Sequence, residues 1–126
     1  MSRKMLIAFL VGVVLAGCGR PRDLHLDEKA NGRKIALRQG QKLSISLKAD
    51  SGSGYVWDVA QGDAAILRQV GDMELESTSD MPGKGIRQTL RFEAVHAGAT
   101  RLILIHHRRW EKGVALGAFS LDIVVR

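Results

Sequence analysis

From Lys42 to Lys48 the chain reads Lys-Leu-Ser-Ile-Ser-Leu-Lys, with polar and apolar residues alternating without exception. A period of two puts Leu43, Ile45 and Leu47 on one face of an extended chain, whereas a helix would scatter them. The segment is therefore a strand with one buried face. The pattern recurs along the chain. Leu90, Phe92 and Ala94 alternate with Arg91 and Glu93, and Phe119, Leu121, Ile123 and Val125 form a final run. Tyr55, Trp57 and Val59 share a face of the segment after Gly54. Leu102 to Ile105 is apolar on both faces, as a central strand is. Weaker strand patterns cover Lys34 to Arg38 and Asp72 to Glu76, and Ala64 to Val70 also fits a short helical turn. Glycine-containing turns separate these runs at Gln39-Gly40, Asp50 to Gly54, Gly62-Asp63, Pro82 to Gly85, Ala97-Gly98 and Lys112-Gly113. About seven or eight short strands in one domain's length predict an all-β, antiparallel β-sandwich.

A single cysteine rules out an intrachain disulfide and a cysteine-based zinc cluster, so the core must rest on aliphatic packing around Trp57. CxxC, HExxH, phosphate-binding glycine loops and dinucleotide fingerprints are all absent, and no cofactor is expected. His106 and His107 are strand neighbours that point to opposite faces and so cannot chelate one ion together. His25 and His96 are not read as ligands, and the metal set is empty. Ser53 lacks the Gly-x-Ser-x-Gly elbow of a catalytic serine. Arg87, Arg91 and Arg101 read as a solvated sheet face. The formal charge of +6 is too small a surplus to predict a nucleic-acid partner.

The first eighteen residues bear on compartment. Arg3 and Lys4 precede a twelve-residue apolar run, Met5 to Ala16. As helix it would span about 18 Å, too short for a bilayer core of about 30 Å. It reads as the apolar part of a signal peptide. The run ends in Leu15-Ala16-Gly17-Cys18, which resembles the lipobox of bacterial lipoproteins, where small residues precede the cut and the new N-terminal thiol accepts diacylglycerol. Cys18 is thus the expected lipidation site. Gly19, rather than aspartate, follows it, which leans toward the outer membrane. Arg20 to Gly32 is polar, contains Pro21 and shows no periodicity, so it reads as a tether. These readings divide the chain into a signal peptide over 1–17, a lipidated N-terminus and tether over 18–32, and the sandwich over 33–126. The expected place is the cell envelope, lipid-anchored at the outer membrane and facing the periplasm.

Function in such a sandwich is sought in loops at one end. Three stand out. Asp50-Ser51-Gly52-Ser53-Gly54-Tyr55 and Pro82-Gly83-Lys84-Gly85 are slim, and His107 to Gly113 carries Trp110 in a polar turn. An even number of strands separates successive members, which puts all three at one end. Small residues let a backbone enter a narrow cleft, and Trp and Arg are enriched among interface hot spots.

These stretches resemble the chagasin-type inhibitors of papain-like cysteine peptidases. Their first loop reads Asn-Pro-Thr-Thr-Gly-Tyr/Phe-x-Trp, matched by Asp50 through Trp57. Their Gly-x-Gly-Gly is matched by Gly83-Lys84-Gly85 with Ile86 last, and their Arg-Pro-Trp by Arg108-Arg109-Trp110. The resemblance spans roughly Leu37 to Arg126 and departs at Asp50, Ser51, Ile86 and Arg109. It implies an immunoglobulin-like sandwich that is not an enzyme and inhibits reversibly and non-covalently by occlusion. Gly52, Ser53 and Gly54 would approach the peptidase's catalytic pair, with Tyr55 and Trp57 bracing them. Gly83, Lys84 and Gly85 would line one wall of the contact, and Arg108, Arg109 and Trp110 the other. The implied partners are a papain-like peptidase and, through acylated Cys18, a lipid bilayer, with the inhibitor a monomer. Two alternatives stay open. One is an envelope lipoprotein that binds or assembles without inhibiting. The other is a lipoprotein lysozyme inhibitor, whose SGxxY loop Ser51 to Tyr55 also resembles.

Overall fold

A computed structural model describes residues 22–49, 54–77 and 85–126. Among these residues nine strands form two sheets: β1 (Leu24–Leu26), β2 (Lys34–Leu37), β3 (Lys42–Ala49), β4 (Val56–Gln61), β5 (Leu67–Gln69), β6 (Glu74–Ser77), β7 (Ile86–Ala94), β8 (Gly98–His107) and β9 (Ala115–Val125). One sheet runs β1-β3-β7-β5, with β6 also on β7; the other runs β2-β9-β8-β4. The expected all-β sandwich is present.

The alternating runs fill the space between the sheets as their period requires. Leu43, Ile45 and Leu47 pair across β3 and β7 with Phe92, Leu90 and Gln88. Phe119 and Leu121 pair with Leu104 and Leu102 across β8 and β9. Apart from Gln88, these side chains form one buried apolar cluster with Leu37, Ile123 and Val125. Burial on both sides of one interior brings each about 1.5–3 kcal/mol relative to exposure, so aliphatic packing closes the domain without a disulfide. Ile103 and Ile105 lie half-buried on the opposite face of β8, in keeping with the doubly apolar run.

Three expectations change. The stretch over 22–32 is not a tether. Leu24–Leu26 pairs in parallel with Leu43 to Ile45, and a 3-10 turn at Glu28–Ala30 follows, with Asp27 capping it and Ala30 buried. The sandwich therefore begins before Arg33. A three-residue strand is too short to display a period, which is why the sequence concealed it. Second, the sheets are not wholly antiparallel, because β2 also pairs in parallel with β9. The short N-terminal strands sit on one edge of each sheet, and the chain crosses between sheets at the 3-10 turn. Third, the ambiguous stretch Ala64 to Val70 is both things in succession. Asp63 caps a turn over residues 64–66, and Leu67–Gln69 then pairs with β7.

Arg91 and Arg101 pair with Glu74 and Asp122 on the open sheet faces. Arg87 does more than cover a face. It donates to the Ser46 hydroxyl at 2.9 Å and the Ser46 carbonyl at 2.7 Å, and it pairs with Glu28, so the 3-10 turn is held against β3.

Candidate functional site

The strand ends that carry the three loops meet at one end of the sandwich. Ala49, where β3 stops, and Ser77, where β6 stops, both pair with Ile86, where β7 starts. In the other sheet Val56, where β4 starts, pairs with His107 at the end of β8, and His107 pairs in turn with Ala115 at the start of β9. The two sheets are tied together just below this rim. Gln88, fully buried on an inward position of β7, accepts from the Trp57 N–H at 2.8 Å and donates to the Trp57 carbonyl at 2.7 Å. The Trp57 indole N–H donates to the Lys48 carbonyl at 3.0 Å. The segment leaving the first loop is thus fixed by both its backbone and its ring.

Of the residues expected to bind, Gly52, Ser53, Gly83 and Lys84 lie outside the described residues, as does Cys18. Gly54, Tyr55, Gly85, Arg108, Arg109 and Trp110 are described, and the first and third loops interlock. Trp57 stacks on His106 with centroids 4.7 Å apart and planes 7° from parallel. The Tyr55 ring also meets His106 edge-on, with centroids 5.6 Å apart. The Arg108 guanidinium lies 4.4 Å above the Tyr55 ring and 5.9 Å from that of Trp110. A column of rings and one cation therefore runs from the core to the rim. Each cation–π contact adds about 0.5–1 kcal/mol at an exposed site. Arg108 also donates to Glu111 at 3.0 Å within its own turn.

Trp110 stands at the top of this column and is 70% exposed, with Val114 and Leu116 also exposed on the same hairpin. Its six-membered ring rests over Gly54. A Cβ at Gly54 would overlap that ring, and its φ of +81° is one that side chains rarely adopt. Glycine is required there twice over. Gly85 likewise has a φ of +67° at the root of the second loop.

Arg109 has a different environment from Arg108. Its Nε and Nη2 donate to the two oxygens of Asp58 at 2.9 and 2.7 Å, and His107 Nε2 lies 2.8 Å from the same carboxylate. The hydrogen bond from Arg109, together with the one from His107, outweighs partial burial and holds the Asp58 carboxyl below its ordinary value. His106 and His107 do face opposite ways, one onto Trp57 and the other onto Asp58. Sequence reasoning overlooked Gln88, Asp58 and His106 as supports of the rim. The one signal available was a glutamine on the inward phase of β7, where Leu90, Phe92 and Ala94 follow.

Among the described residues, no cluster of histidine, cysteine and acidic side chains could hold a metal ion, and no helix is long and apolar enough to cross a membrane.

Comparison with known proteins agrees with the fold. The fold is similar to that of the cysteine protease inhibitor EhICP2 from Entamoeba histolytica, with a TM-score of 0.71 at 18% identity, covering 86% of this chain and all of that one. Amebosin is similar with a TM-score of 0.69 at 21% identity, over 85% of this chain and all of its own. PbICP-C, whose structure is of its complex with falcipain-2, gives a TM-score of 0.55 at 11% identity over 85% of this chain and 93% of its own. No curated protein sequence matches the chain. The family described as "Chagasin family peptidase inhibitor I42" matches residues 36–123, most of the sandwich. That family is one of inhibitors and not of enzymes, and this immunoglobulin-like sandwich of aliphatic strands under a glycine- and tryptophan-bearing rim belongs to it.

Proposed function

We propose that the protein inhibits papain-like cysteine peptidases reversibly and without covalent chemistry, by seating the three-loop rim in the active-site cleft. The observation that carries this reading is Trp110, a large apolar ring held out in water at 70% exposure by Arg108 and Gly54 rather than folded onto the sandwich. An exposed tryptophan on a braced turn suits burial by a partner, since preordered contacts lose little freedom on binding. Gly52, Ser53, Gly54 and Tyr55 are assigned to the cleft, Gly83, Lys84 and Gly85 to one wall and Arg108 with Trp110 to the other. Titration of the chain from residue 18, with Cys18→Ser, against papain is the test. Competitive inhibition is expected, with the inhibitor recovered uncut by mass spectrometry after long incubation and lysozyme unaffected in parallel. Cleavage between Ser51 and Tyr55, or a covalent adduct, would exclude occlusion.

The same reading includes anchoring at the outer membrane through acylated Cys18. Its support is topological. Because β1 runs parallel to β3 from Leu24 opposite Leu43, the chain comes in at the end of β3 far from the loops, where Gln41 donates to the Arg22 carbonyl at 2.7 Å. Cys18 is four residues before Arg22. A lipid there leaves the rim free to face a peptidase in solution. Cys18→Ala is expected to abolish palmitate labelling and membrane retention; a substituted precursor still labelled in the membrane fraction would refute the anchor.

A further inference from the structure

The turn that presents Trp110 is closed by a hydrogen bond from the Glu111 N–H to the Arg108 carbonyl at 3.1 Å, which puts Arg109 second and Trp110 third of four residues. No described residue other than glycine has a positive φ, which leaves type I geometry and excludes type II. The second position of such a turn is one where proline's fixed φ is favoured. An arginine there provides no such restraint by itself; Arg108 and Glu111 tie the two ends of the turn to each other, and Arg109 and Trp110 at its centre are exposed.

The restraint comes from β4. Asp58 faces away from the core, next to Trp57, with a side chain only 27% exposed. Both its oxygens are taken up by Arg109 in a fork-to-fork pair, at 2.9 and 2.7 Å, and Oδ2 also meets His107 Nε2 at 2.8 Å. One carboxylate thereby gathers the last residue of β8 and the second residue of the turn that follows it. A bidentate pair fixes orientation as well as distance, because two parallel bonds forbid rotation of the guanidinium. The exposed pair of Arg101 and Asp122 on the outer face of the same sheet makes a useful contrast. It has a single bond of 2.9 Å and lies at the end away from the loops.

We propose that Asp58 is a positioning residue for the inhibitory rim: through its bidentate pair with Arg109 it holds the 108–111 turn in one orientation and keeps Trp110 over Gly54. Arg109 then works inside the loop and not on the peptidase. This inference rests on the three-loop reading above and adds a residue to it that lies outside the loops.

The test compares inhibition constants against papain for the wild-type chain, Asp58→Asn, Arg109→Gln and the double variant, with thermal midpoints for each. Ordering one flexible side chain and its turn at the moment of binding corresponds to a loss of about five- to twenty-fold. Each single variant is expected to weaken inhibition by that much, and the double variant by no more than the worse single, since both remove one interaction. Asp122→Asn should stay within about two-fold of wild type, as exposed single-bond pairs contribute little. Arg109→Pro, which stiffens the turn through its ring, should make inhibition indifferent to Asp58→Asn. A readout independent of any peptidase is the amide order parameter of Trp110, expected to fall in Asp58→Asn while that of Trp57 is unchanged. Inhibition by Asp58→Asn equal to wild type, or losses that add in the double variant, would overturn the inference and leave the three-loop reading standing. A wild-type chain that does not inhibit papain would overturn both.

Discussion

Trp110→Ala is expected to weaken inhibition of papain by roughly 30- to 1,000-fold, the range of a central hot-spot truncation of about 2–4 kcal/mol, while leaving the thermal midpoint nearly unchanged. The two halves of that expectation have separate causes. Trp110 is 70% exposed in the free protein, so its removal opens no cavity and loses only its contacts with Gly54 and the Arg108 cation. In a complex the ring would be the largest apolar surface on the rim, and area removed from water there yields about 25 cal/mol per Å². Papain titration and a melting curve decide the matter together. A folded Trp110→Ala protein that inhibits as well as wild type would remove the third loop from the contact.

Trp57→Ala should do the reverse. Trp57 packs against the core, stacks on His106 and donates to the Lys48 carbonyl. Truncating a large ring in such a setting destabilises by about 3–5 kcal/mol, which for a domain of this size lowers the midpoint on the order of 10–20 °C. Gln88 would still hold the backbone at position 57 through its two hydrogen bonds, so the domain is expected to melt early and yet present its loops when folded. Calorimetry gives the stability, and inhibition well below the midpoint gives the function. An unchanged midpoint would mean that the ring is not part of the structural column beneath the first loop. Two tryptophans at the top and bottom of one column thus separate binding from folding.

Much of this arrangement was legible in order along the chain. The alternation in β3, β7 and β9 reports which face of each strand is buried, because side-chain direction in a strand is settled by parity alone. Glycine turns between those runs set the strand count nearly right. The three loops drew notice for opposite reasons, two for having almost no side chain and one for carrying a tryptophan among charges. The paired strand ends do lie at one end, although three strands and not an even number separate the first two loops: β5 and β6 run in the same direction along β7 and so make a single pass. Leu24–Leu26 escaped because three residues hold no measurable period, and its hydrogen bonds come from a strand whose partner residues begin at Leu43.

What tertiary structure alone decided is which distant groups meet. Parity can say that residue 88 points inward, but not that its amide spans the sandwich to clamp the backbone of Trp57, 31 residues away. Nor does a lone aspartate beside a tryptophan announce that an arginine 51 residues later will turn back onto it. Local pattern determines exposure because exposure depends on strand direction and the neighbouring side chains. Hydrogen-bond and ion-pair partners depend on how two sheets are brought face to face, and that is settled by the summed packing of the whole core. For this protein, residue order determined the sandwich and the composition of its rim, and the docking of one sheet on the other determined what holds that rim in place.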